Sequence, residues 1–492
     1  MSMKICLKKD RYKILALNTF IFAIGNFGSK ILSLLLNNLY TKHITPTEFY
    51  IKNLIEITAL FLLPVFTFCL TEAIVRFGLD MQYDKKKIFT TCCIITILGL
   101  LLMAAFVPFL RLIPFLKPIN SYTFLLIVYI WASSMRSLCS QFIRAQGFVK
   151  LFSLDGIITT LTLFLFSLIF VSYFEMGVEG FMLSVIFSDA CSAIFLFFAA
   201  GLRKFFVWNA FDKKLGKEML HFTLPLVPTI VMWTVVTFSD QIFLGNMRSD
   251  RVELGSSVAG LYAAAAKIPN LISMLSTIFF QAWNMSAVTE HNAPDSSVFY
   301  GTVCKFYESV LFIGSAGLVL FVKPVSIILI NSSNFPEYST VYIYTPLLIT
   351  AAIFNCMSEF LYSIYTVVKR TKNAFYTSMI TCSINFFLNI ILIPKFGIYG
   401  AATATLISYV SCYFIRLIDT RRFVPFSVDI TKNIINTTLM LIICLLTIFN
   451  VKYCCVYSSF LFFLIAGFNL YKLFGFSKRK RKNVSNSQHL LR

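Results

Sequence analysis

The side chains able to do chemistry in this chain stand where water is scarce. Asp240 lies within TFSDQIFLGN and Lys267 within LYAAAAKIPN, runs otherwise dominated by apolar and small residues. At 1.5 Å of rise per helical residue, each stands roughly 10–15 Å from the nearer end of its apolar stretch, so the two are expected to meet across a helical hairpin. Lys30 and Glu56 repeat the arrangement with signs exchanged in the first hairpin. Arg136, in the hydroxyl-rich WASSMRSLCSQ, joins Asp155, Asp189, Lys305, Glu308 and Glu359 as the other ionisable residues inside apolar runs. A charge at the centre of a bilayer costs about 2.5–3.5 kcal/mol on insertion scales, so such side chains face a partner or a wet seam.

These residue types support two kinds of chemistry. Arg136, Lys30 and Lys267 are the cations expected along a substrate path, and a guanidinium is shaped to hold a phosphate bidentately. The carboxylates Asp240, Asp189, Glu359 and Glu56 either carry a proton or a sodium ion across or neutralise the cations. The neutralising pairs expected are Lys30 with Glu56, Lys267 with Asp240, and Arg136 with Asp155 or Asp189. Tyr362 and Tyr365, beside Glu359, offer a stacking face and a polar tip for a sugar.

Catalytic motifs are missing. No G-x-S-x-G, phosphate-cradling glycine loop or H-E-x-x-H occurs. The 13 Cys are scattered without a C-x-x-C, and His43, His221, His291 and His489 are far apart in sequence. Neither a metal site nor a resident cofactor is therefore expected. No catalytic residue is assigned, and the chain is not expected to be an enzyme.

The elements that must position the charges follow from composition. Hydrophobic residues make up 58% of the 492, Phe alone accounts for 54, and only 13% are charged, against about half apolar and about a quarter charged in soluble domains. The chain reads as an all-α integral membrane protein, since helices are the spanning structure that satisfies its own backbone. Counting apolar stretches long enough for a hydrocarbon core predicts about fourteen transmembrane helices. Six cover 14–40, 49–77, 88–110, 122–145, 151–174 and 177–200. Six more cover 219–245, 258–288, 298–330, 341–368, 374–393 and 398–418, and two follow at 430–449 and 453–474.

This layout divides the chain into an N-terminal six-helix lobe (1–200), a charged cytoplasmic connector (201–218), a C-terminal six-helix lobe (219–423), two additional helices (424–475) and a basic tail (476–492). Duplicated halves of this kind are common in transporters, with the path between them. Lys and Arg number 43 against 22 Asp and Glu. They collect in alternate connectors, roughly thirty against eight, which places both termini in the cytoplasm. Because the basic residues are dispersed over many short loops, nucleic acid is excluded as a partner.

Several stretches then carry a resemblance. NTFIFAIGNFGSKILSLLLNNLYTKHITPTEFY, LTEAIVRFGLD, FIRAQGFVKLF, HFTLPLVPTIVMWTVVTFSDQIFLGN and GLYAAAAKIPNLISMLSTIFFQAWN resemble the polysaccharide-export, or O-antigen (Wzx-type), flippases of the MOP superfamily. In relatives the aspartate matching Asp240 is often followed by a basic residue, where this chain has Gln241. The resemblance implies two six-helix lobes in a V with two extra helices and alternating access. It also implies transfer of undecaprenyl-diphosphate-linked oligosaccharide across the bacterial cytoplasmic (inner) membrane. Expected partners are membrane lipid, that glycan, and a polysaccharide polymerase with its chain-length regulator. The alternatives are a multidrug or small-molecule cation antiporter of the same superfamily and a membrane polymerase or acyltransferase.

Overall fold

Backbone buried in lipid must satisfy its hydrogen bonds internally. Accordingly, no strand occurs among the residues described by the computed structural model, namely 17, 19, 32–80, 82–290, 293–368 and 370–489. The first half comprises α1 (32–43), α2 (Pro46–Phe66), α3 (Leu70–Gly78), α4 (Lys85–Phe106), α5 (Thr123–Ala145), α6 (Val149–Ser167) and α7 (Gly177–Ala199). The second comprises α8 (Lys213–Thr223), α9 (Leu226–Asn246), α10 (Ser256–Ala265), α11 (Asn270–Glu290), α12 (Ser296–Leu320), α13 (Val322–Leu329), α14 (Val341–Val367), α15 (Thr371–Phe396) and α16 (Ile398–Thr420). Two more, α17 (Ile430–Ile448) and α18 (Cys454–His489), follow.

Among the described residues, eleven helices are long and apolar enough to cross a membrane, or twelve if the bent pair α10 and α11 is one span. The other two of the expected fourteen are the first, which lies largely outside the described residues, and the seventh, which divides at Pro225 into α8 and α9. Other expected spans are also interrupted. The second breaks between α2 and α3, where Phe68 and Cys69 adopt left-handed backbone (φ 51° and 53°). There α4 crosses so closely that a Cβ on Gly99 would lie 1.9 Å from the Phe66 carbonyl oxygen. The eighth bends by 45° between α10 and α11, and that break holds Lys267 and Pro269.

The two halves repeat their packing. In the first, α5 and α6 both lie against α7; in the second, α14 and α15 both lie against α16. The halves meet where α2 lies along α9 and α10. Glycine is required at this contact, because a Cβ on Gly260 would fall 1.8 Å from the Pro46 carbonyl oxygen and one on Gly245 would fall 2.5 Å from the Tyr50 ring. The Asn246 amide donates to the Tyr50 hydroxyl there at 3.1 Å. At the connector, α8 spans the expected boundary at 218 and packs on α3 and α4. Helix α17 docks on α12 and α14, and α18 on α12 and α17. Asn436 and Asn469, both buried, exchange amide hydrogen bonds of 3.2 and 3.0 Å between α17 and α18.

Candidate functional site

Helix α2 opens with a capping box. The Thr45 hydroxyl accepts from the Glu48 N–H, and the Glu48 carboxylate accepts from the Thr45 N–H, with Pro46 as the first helical residue. The helix therefore starts early enough to carry Lys52 inward. Lys52, inside the second expected span but not among the candidate charges, is 3% exposed. Its ammonium donates to Glu56 Oε1 at 2.7 Å and lies 4.7 Å from the Phe181 ring and 5.3 Å from the Tyr40 ring. Rings at such distances favour a cation. From the break between α10 and α11, Lys267 reaches the other oxygen, Oε2, of Glu56 at 4.0 Å. Glu56 is thus held by one cation from each half, and the expected pairing of Lys267 with Asp240 does not form. Its proposed partner Lys30 lies outside the described residues.

Asp240 is 3% exposed and is met by neutral donors instead. Tyr262 of α10 donates at 2.5 Å, Asn389 and Asn385 of α15 at 2.6 and 3.4 Å, and Thr405 of α16 donates as well. The Asn389 Oδ1 beside it is a buried acceptor with no donor among the described residues. A carboxylate ringed by neutral oxygen- and amide-bearing side chains is a chemistry that accepts a proton or a hard monovalent cation.

In the first half α5, α6 and α7 converge on Arg136. Its guanidinium lies 3.5 Å from Asp155 and 3.7 Å from Asp189, and its Nε donates to Thr159 and Ser192 at 3.2 Å each. Ser133 donates to Asp189, and Ser192 and Ser140 donate to Asp155. Both expected partners are therefore present at once. Two carboxylates against one guanidinium leave a negative excess when all three are ionised.

The second half places a cation on its last core helix. Arg416, fully buried, donates to Thr377, the Ser358 carbonyl and Ser378 at 3.2, 3.1 and 2.9 Å. It lies within electrostatic reach of the partly exposed Glu359 and 5.3 Å from the Tyr362 ring. Tyr362 is exposed, whereas Tyr365 is fully buried and its hydroxyl donates to Asp419 at 2.8 Å. Arg416 went unread because it sits close to the end of an apolar run. Lys432 was missed for the same reason. It stands near the start of α17, is 2% exposed, and donates to Ser309 of α12 at 2.7 Å. Near it, buried Glu308 accepts from Tyr413 at 3.0 Å, which ties α12 to α16 beneath α17. Lys305, also on α12, reaches out to Ser427 at 2.9 Å.

Among solved structures, the fold is similar to one described as lipid II flippase MurJ in an inward closed conformation, with a TM-score of 0.69 at 15% identity, covering 92% of this chain and 99% of that one. It is also similar to an inward-facing multidrug resistance MATE family transporter of the MOP superfamily (TM-score 0.60, 12% identity, 83% and 96% covered). The Vibrio cholerae MATE transporter VcmN matches with a TM-score of 0.58 at 14% identity, covering 84% and 97%. At these identities the likeness is one of fold. In sequence, the chain is 23% identical over 300 residues to the uncharacterized membrane protein MJ1068 of Methanocaldococcus jannaschii, 59% of this chain and 57% of that protein. The match thus spans little more than half of that relative's length. Residues 15–284, more than half of the 492, match the family described as polysaccharide biosynthesis protein, and to that family the chain belongs.

Proposed function

We propose that the chain is a flippase that moves undecaprenyl-diphosphate-linked oligosaccharide from the cytoplasmic to the outer leaflet of a bacterial inner membrane by alternating access. The observation that carries this reading is the triad at the meeting of the halves. Lys52 and Lys267 share the single carboxylate of Glu56, a positive excess, with Glu56 and Lys267 30% and 21% exposed. The polyprenyl tail of such a substrate is at home in lipid. Its diphosphate is not, because an isolated ion in a low-dielectric interior costs several kcal/mol even after relaxation. Two lysine ammoniums drawn from opposite halves supply the missing counter-charge and release it when the halves part. Both termini lie in the cytoplasm on this reading, and an inside-negative potential favours outward transfer by about 2.3 kcal/mol per charge per 100 mV. Asp240 is the site for a coupling proton or sodium ion, and Tyr362 is the sugar-facing ring.

The test is complementation of a deletion strain. Without the gene, lipid-linked repeat units accumulate on the cytoplasmic leaflet. Lys267→Ala at native membrane abundance lowers export at least about tenfold, as expected for losing one charge-assisted contact of about 1.5–3 kcal/mol. Native export by that variant overturns the role of Lys267. A second reading, exchange of small organic cations, draws on the carboxylate excess around Arg136. It predicts ion-driven efflux of such cations from cells whose lipid-linked repeat units stay evenly distributed.

A further inference from the structure

The connector between the halves is a fixed element with one face in use. Leu202 is buried and Phe205 packs edge-on against Phe142 of α5 at 5.2 Å. Three hydrogen bonds hold the segment to the start of α4: the Thr90 hydroxyl donates to the Phe205 carbonyl at 3.1 Å, the Val207 N–H donates to that hydroxyl at 3.0 Å, and the Asp212 N–H donates to Thr91 at 3.2 Å. The residues not turned into this contact are apolar and basic together. Trp208 is 72% exposed and Phe211 43%, while Arg203, Lys204, Lys213, Lys214 and Lys217 are all exposed.

Depth follows from the tether. Thr90 stands five residues inside α4, about 7 Å from its end at 1.5 Å per residue, and α4 and α7 are both candidate spans. The connector therefore lies beside the spans near the water boundary, where an indole belongs at headgroup level and lysine stems run along apolar surface toward phosphate. The two acidic residues of the patch do not neutralise it. Asp212 is paired with Lys87 of α4 at 3.1 Å, and Glu218, which accepts from Tyr83 at 3.3 Å and keeps its charge, is one carboxylate against five exposed cations.

We propose that this face, centred on Trp208 and carrying Arg203, Lys204, Lys213 and Lys214, binds the headgroups of anionic phospholipids in the adjoining leaflet. The exposed charge is complementary to them, and the face continues the lipid-covered surface of α4 and α7. Bound lipid thus holds the connector between the halves on α4 of the first half.

The experiment reconstitutes the full chain in nanodiscs doped with brominated phosphatidylglycerol or brominated phosphatidylcholine at equal mole fraction. Tryptophan emission lost in Trp208→Phe isolates the signal of Trp208. Brominated phosphatidylglycerol is expected to quench it at least about twofold more strongly, the preference that clustered lysines confer for anionic lipid. Lys204→Gln, Lys213→Gln and Lys214→Gln combined bring the two lipids to equal quenching. Equal quenching in the native chain reduces the face to ordinary interfacial aromatics and overturns the proposal. So does a Trp208 that neither lipid quenches, or a preference that survives the triple substitution.

Discussion

Asp240 and Lys267 belong to separate clusters, one built of neutral donors around a carboxylate and one of two cations on Glu56. A pairing across one hairpin looked natural for Asp240 and Lys267, yet the bend before Pro269 turns Lys267 toward Glu56 of the other half, and Asp240 meets α15 and α16 instead. Contacts between residues 145 or more positions apart leave no local signal. For Arg136 the partners were foreseen, and their number changes its meaning. Arg136→Ala strands two buried carboxylates, and breaking a buried ion pair typically costs about 3–5 kcal/mol. The single variant should fall in thermal stability, whereas Arg136→Ala with Asp189→Asn should recover part of it, with Asp155 left to its Ser140 and Ser192 donors. Export by that double variant then separates a counter-ion, which it restores, from a phosphate ligand, which it does not. At Asp240 the four donors face an acceptor. Asp240→Asn exchanges one acceptor oxygen for a donor, at a cost of about 1–3 kcal/mol. Sodium or proton dependence of transport should vanish with it. Unaltered ion dependence in a folded Asp240→Asn protein removes Asp240 from coupling.

At the scale of elements, legibility tracked punctuation. Pro225 announces the division of α8 from α9, and Pro269 the bend after α10. The break between α2 and α3 follows Pro64 in the last turn of α2, and α4 crosses it closely at Gly99. The capping box of Thr45 and Glu48 is present in the sequence and places Lys52, a buried cation that the candidate charges did not include, nearly two turns into α2. Helix α8 shows what a short polar element contributes. Asp212 accepts from the N–H groups of Leu215 and Lys214 at its start and pairs with Lys87 of α4. These contacts, the Leu215 N–H foremost, hold the Asp212 carboxyl below its ordinary range. A group whose pKa is depressed on folding stabilises the native state above the unfolded value and loses that contribution as pH falls through the folded one. The protection factors of the α8 amides, exchange corrected for its intrinsic pH dependence, should therefore fall below about pH 4, the ordinary range of an aspartate. In Asp212→Asn the protection should lose this pH dependence, because the cap survives and the ion pair does not. An acid response that persists in Asp212→Asn assigns it to another group.

The duplication was legible in the layout of the whole molecule, but the contact between its halves was not. Nothing in the sequence marks Gly245 and Gly260 above the other 18 glycines, and only the crossing of α2 gives them a role. On the proposed alternating-access function the halves close at this contact in one state and part in another, and the closed state then depends on backbone approaching backbone at Gly260. Gly260→Val places its Cβ where the Pro46 carbonyl oxygen stands, 1.8 Å away. The oxygen belongs to the backbone of a capped helix start and has little freedom to yield. Overpacking of this kind costs about 1–3 kcal/mol, applied to the contact between the halves more than to the interior of either. Because the same substitution moves α10 away from α2, it also separates Lys267 from Glu56 and lowers the positive excess gathered at the seam. Spin labels on the ends of α2 and α10 should report a longer and broader distance distribution in Gly260→Val than in the native chain. Export should fall while the melting temperature changes little. If the distances stay native and export survives, close approach at Gly260 serves packing alone, and the gate between the halves lies elsewhere.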